Sequence, residues 1–189
     1  MQKQKWSVHE QMFDYVEFTE DVVKKMKDTF QNWLSENDDI YILSLDCARG
    51  ADSIGMIANT DSYLYEQVDE DSDDFWYYKY CEDEWELFEA FEEISGSMRG
   101  YLEENKAAFT NLETSEYTEA FESHCAKIIE SCLNAALRFG ENLRADFPDL
   151  MLNVNVREYL DGEEREEIFA KLNNESFLKE YAEHIDEFI

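Results

Sequence analysis

The sequence is short of everything that punctuates or staples a chain. Its 189 residues include one proline, Pro148, and six glycines. Proline-rich linkers, polyproline segments and glycine-rich phosphate loops therefore have no material to be built from. The four cysteines, Cys47, Cys81, Cys125 and Cys132, form no CxxC pair, and free thiols in a reducing cytoplasm are the reading. The three histidines, His9, His124 and His184, are scattered. Only His124 adjoins a cysteine, and adjacent residues on a helix point about 100° apart, so no zinc set is read.

No apolar run reaches membrane-spanning length, and residues 1–10 are followed by no stretch of signal-peptide type. Basic residues are scarce too: 16 Lys and Arg stand against 46 Asp and Glu, a formal net charge of -30. Such a field repels phosphate backbones and anionic membranes, so neither nucleic acid nor membrane is expected as a partner. The one cationic cluster, Lys24, Lys25 and Lys27, is diluted by Glu20, Asp21 and Asp28. The natural complement of this surface is cationic, a basic protein or metal ions.

What is present suffices for a fold. Hydrophobic residues make up 44% and aromatics 15%, and a chain of this size buries roughly 70% of its unfolded surface, which one domain over residues 1–189 accommodates. Residues 6–18 read as a short helix of irregular period. Next, Thr19 is a candidate N-cap for an amphipathic helix ending near Asn37, with Val22, Val23, Met26, Phe30, Trp33 and Leu34 on one face. The runs 40–47 and 53–58 read as a β-hairpin. A helix with Tyr63, Leu64 and Val68 follows, ended by the acidic run 69–74, and FWYYKYC at 75–81 reads as a strand.

A long helix is then predicted from Glu82 to Leu102, with Leu87, Phe88, Phe91, Ile94 and Met98 on its apolar face and a break near Gly96 and Gly100. Residues 116–139 form a regular buried stripe, with Gly140 as its stop. Residues 150–159 alternate as a strand with one buried face, Leu150, Leu152, Val154 and Val156. Helices at 163–172 and 176–189 complete an α+β domain: a small, mostly antiparallel sheet (hairpin 40–58, strands near 75–81 and 150–159) covered by amphipathic helices.

Residues 61–93 hold fourteen carboxylates, ten aromatics and a single lysine, Lys79. Charge concentrated beside rings that would normally be buried points to a partner surface made by Asp69, Glu70, Asp71, Asp73, Asp74, Trp76, Tyr78, Glu82, Trp85, Glu89 and Glu92. On the predicted long helix Trp85 falls away from the apolar stripe among Glu82, Glu89 and Glu92, and an indole ringed by carboxylates suits a cation. The competing reading is that another segment packs over it. If 75–81 is a strand, either Trp76, Tyr78 and Tyr80 or Phe75, Tyr77 and Lys79 face outward.

Nothing specifies a reaction. Asp69, Asp71 and Asp73 match the first positions of a calcium loop, but Asp74 stands where glycine is needed and Tyr80 where the bidentate glutamate belongs. Among the thiols, Cys47 near the hairpin turn and Cys81 ahead of a helix are the candidates for exposure; Cys81 adjoins Glu82, Asp83 and Glu84, which favour its protonated form, and structural thiols are the reading. No catalytic, metal or cofactor-binding residue is assigned.

With IYILSLDCARGADSIGMIANT, WYYKYCEDEWELF and VNVREYLDGEEREEIFAKLN in view, the chain resembles an uncharacterised bacterial family of small, acidic, single-domain cytoplasmic proteins. Some of them look like immunity proteins of polymorphic toxin systems. The resemblance implies a non-enzymatic cytoplasmic inhibitor of a basic partner such as a toxin. The alternatives are a carboxylate- or metal-dependent hydrolase and an acidic scaffold without a catalytic role.

Overall fold

The computed structural model describes residues 12–111, 114, 116–156 and 160–185. The start of the helix expected at 6–18, the end of the strand expected at 150–159 and the end of the last helix lie outside these residues.

Helix α1 (Tyr15–Leu34) begins at Asp14, whose side chain accepts from the Val16 and Glu17 amides, each at 3.0 Å. The expected cap, Thr19, lies inside the helix, its hydroxyl donating to Tyr15 O at 2.8 Å. The carboxylate wins because it satisfies two of the open amides of the first turn. Strands β1 (Ile40–Cys47) and β2 (Ile54–Thr60) form the expected hairpin. Thr60 then caps α2 (Asp61–Gln67), accepting from Tyr63 N at 3.2 Å.

The next two expectations fail. FWYYKY forms helix α3 (Phe75–Tyr80), not a strand, followed by a 3-10 turn at Glu82–Glu84. In place of one long helix come strand β3 (Leu87–Ala90) and helix α4 (Glu92–Glu104). Gly96 and Gly100 cause no break, and a Cβ at either would meet nothing within 4 Å. The break lies upstream, where β3 pairs with β2.

Helix α5 (Lys106–Phe109) leads to α6 (Glu119–Leu143), which runs past its expected stop. Gly140 instead permits close packing, since a Cβ there would lie 2.7 Å from Leu152 Cδ1. Strand β4 (Met151–Val156) and helices α7 (Gly162–Leu172) and α8 (Glu175–His184) follow.

The sheet order is β3-β2-β1-β4, antiparallel except for the parallel pair β1/β4. One face packs Leu43, Leu45, Met56, Leu152 and Val154 against Val22, Met26 and Phe30 of α1 and Ile128, Cys132 and Phe139 of α6. The other packs Ile42, Ile57 and Met151 against Tyr80, Trp85, Phe169 and Tyr181. Each fully buried Val, Leu, Ile, Phe or Met contributes about 1.5 to 3 kcal/mol. Because both faces are covered, β4 is buried at every position instead of on one side. Among the described residues no helix is long and apolar enough to cross a membrane.

The outer edge of β4 is closed by a side chain. Asn173, just after α7, accepts from Leu152 N at 2.8 Å and donates to Leu152 O at 2.7 Å, as a neighbouring strand would. Arg144 adds a bond to Leu150 O at 2.8 Å. Asn173→Ala should cost about 2 kcal/mol, because two main-chain groups lose their partners at a half-buried site that water reaches in part. A urea midpoint unchanged from wild type would refute this.

Candidate partner-binding surface

The acidic run 69–74 folds as a turn leading into α3. Ser72 N donates to Asp69 O at 2.9 Å, Asp74 N to Ser72 Oγ at 3.2 Å and Phe75 N to Ser72 O at 3.1 Å. Phe75 and Tyr80 point inward and anchor the short helix, as its amphipathic packing requires. Asp69, Glu70, Asp71, Asp73 and Asp74 are all exposed, and none makes an ion pair among the described residues.

The cation nearest in sequence is already engaged. Lys79 Nζ pairs with Glu180 Oε1 of α8 at 2.7 Å and lies 5.0 Å from the centre of the Trp76 ring. Tyr80 OH donates to the same Glu180 oxygen. Burial alone would raise the Glu180 carboxyl, but the bonds from Lys79 and Tyr80 hold it below its ordinary value. The clamp fixes α3 on α8 and stacks Trp76 on His184, with ring centres 4.0 Å apart and planes at 15°.

The result is an open cleft of about 750 Å³ lined by Ser72, Asp73, Asp74, Trp76, Tyr77 and His184. It unites three expected residues, Asp73, Asp74 and Trp76, with three outside the expected set, Ser72, Tyr77 and His184. Tyr77 lay in the alternative strand face, and His184 reaches the cleft from α8, for which no local signal exists. Tyr78 is half-buried and turns to a small cluster of Leu64, Val68 and Phe75.

The remaining expected residues separate. Glu89 and Glu92 lie at the β3–α4 junction, paired with Lys25 at 3.1 Å and with Arg99 at 3.5 Å. Trp85 and Glu82 leave the surface altogether, being 7% and 4% exposed. The segment carrying them is a turn pressed onto the sheet, not an exposed helix face. Glu82 accepts from Arg165 Nη2 at 2.9 Å and from Asn153 Nδ2 at 2.8 Å. Burial pushes its carboxyl above the ordinary range while Arg165 pulls it back. The Trp85 indole nitrogen has no hydrogen-bond partner among the described residues.

For Cys47, Cys81 and Cys125 the net effect of the surroundings favours the protonated thiol. Burial raises Cys81 and outweighs the opposing hydrogen bonds from the Asp83 main chain and Tyr77; a hydrogen bond with Cys132, then burial, raises Cys47. Among the described residues no three His, Cys, Asp or Glu side chains are grouped to hold a metal ion.

Fold and surface together define an acidic α+β protein with a four-stranded mixed sheet between helical layers. The chain belongs to the family described as Domain of unknown function (DUF4303), which matches residues 18–174. No curated protein and no solved structure matches it.

Proposed function

We propose that this is a non-enzymatic cytoplasmic binding protein that captures a basic partner, in the manner of an immunity protein that inhibits a toxin. The observation that carries the reading is the cleft at the start of α3, where Asp73 and Asp74 stand beside the stacked Trp76 and His184 and make no ion pair among the described residues. An aromatic wall beside two carboxylates suits a lysine or arginine side chain, which gains both an ion pair and ring contact. The wider field of the chain speeds encounter with such a partner, most at low salt.

The test is titration with an arginine-rich peptide, followed by tryptophan fluorescence at low and high salt, with Trp76→Phe identifying the responding ring. The double variant Asp73→Lys/Asp74→Lys should slow association about tenfold or more at low salt and flatten its salt dependence. Equal rates for wild type and variant would remove the cleft from the reading.

A further inference from the structure

The two edges of the sheet are treated differently. The β4 edge is closed by Asn173, Arg144 and α7. Among the described residues the β3 edge has no such cover. Phe91 N donates to Ile54 O at 3.0 Å, and the register pairs Glu89 with Met56 and Leu87 with Ala58. In an antiparallel ladder such pairs alternate. Leu87, Glu89 and Phe91 therefore direct their main-chain groups to β2, while Phe88 and Ala90 direct theirs outward. Neither outward pair is bonded by another segment among the described residues.

We propose that this edge receives an antiparallel strand from a basic partner chain, extending the sheet. The space beside it fits. On one face a groove of about 690 Å³ runs between α1 and the β3–α4 junction, lined in part by Lys25, Asp28, Glu89, Ala90 and Phe91. On the other, Phe88 is 58% exposed, with its ring lying over Gly55. Alternate side chains of an added strand fall into the groove and onto the Phe88 ring.

Charge selects the occupant. Glu86, Glu89, Glu92 and Glu93 cluster along this edge against Lys25 and Arg99. A second copy would bring its own formal charge of -30 and set like charges side by side. A strand carrying lysine or arginine toward the glutamates and an apolar residue toward Phe88 meets no such penalty. The sign of the partner's charge rests on the acidic-capture reading; the mode of docking rests on the free main-chain groups.

The experiment uses a short peptide of alternating lysine and valine, and the same peptide with every main-chain amide N-methylated, which keeps the charge but removes the strand-pairing donors from both of its edges. Amide exchange is followed by NMR on the full chain. The unmodified peptide should slow exchange at Phe88 and Ala90 about tenfold or more, and should bind about tenfold more tightly than the methylated one. Ala90→Pro removes one outward donor without touching the β2 ladder and should weaken the unmodified peptide selectively. Equal binding of both peptides with no protection at Phe88 and Ala90 overturns edge docking and leaves charge capture standing. No binding of either at low salt overturns both.

Discussion

Glu82→Ala should destabilise the protein by about 3 to 5 kcal/mol, the range for removing one member of a buried ion pair. Glu82 is 4% and Arg165 9% exposed, and the carboxylate accepts from both Arg165 Nη2 and Asn153 Nδ2. Its loss strands a guanidinium beneath the turn at Glu82–Glu84, where burial already opposes charge. It also leaves the Asn153 amide without its carboxylate, on the polar strip of a sheet face that otherwise packs Ile42, Ile57 and Met151.

The double variant Glu82→Leu/Arg165→Met should recover most of the loss, since the desolvation cost of the pair disappears with it. Urea midpoints at unchanged slope measure both effects. A single variant as stable as wild type would mean that the pair is reached by water and holds nothing in place.

The second large effect is a loss of stability on acidification through His124. Its ring is 2% exposed, enclosed by Phe13, Tyr101 and Phe109 with centres 5.3, 5.1 and 5.4 Å away, and hydrogen-bonded through Nδ1 to Tyr15 OH at 2.8 Å. Burial, with help from Lys127, lowers its pKa from 6.5 to about 4. The folded protein therefore keeps the imidazole neutral over a range in which the unfolded chain protonates it. This contribution is fully present above pH 6.5 and is lost as pH falls toward 4, at about 1.4 kcal/mol per pH unit. The total is on the order of 3 kcal/mol.

Only three histidines are present, so the imidazole titration is resolvable by NMR. A midpoint near pH 4 for His124 is the expected result, and one near the ordinary 6.5 would refute the argument. His124→Gln should remove this part of the pH dependence whatever its own cost.

The parts of the fold that were legible share one property. In α1, the hairpin, α6 and β4, the spacing of apolar residues fits one period only, so Val22, Met26 and Phe30 or Leu152, Val154 and Val156 identify their element unaided. Residues 75–91 fail that condition. FWYYKY has the composition of a strand, yet it closes less than two turns of helix with Phe75 and Tyr80 inward. Leu87, Phe88 and Phe91 fit the helical stripe that α4 continues, but pairing with β2 overrides it. The misreading carried into the site, because the exposure of Trp85 depended on a helix that does not exist.

The sequence by itself determined the sign and concentration of the charge, the α+β class and the acidic turn with Asp73, Asp74 and Trp76, for these follow from composition and local period. Only the tertiary structure decided that Glu82 is an interior ion and that His184 faces Trp76. It also decided that one edge of the sheet is closed while the other, among the described residues, is open. Periodicity reports which side of an element is buried, whereas the identity of what covers it depends on segments far away along the chain. Glu82 meets Arg165, Trp76 meets His184 and Leu152 meets Asn173 only after the helices have packed on both faces of the sheet.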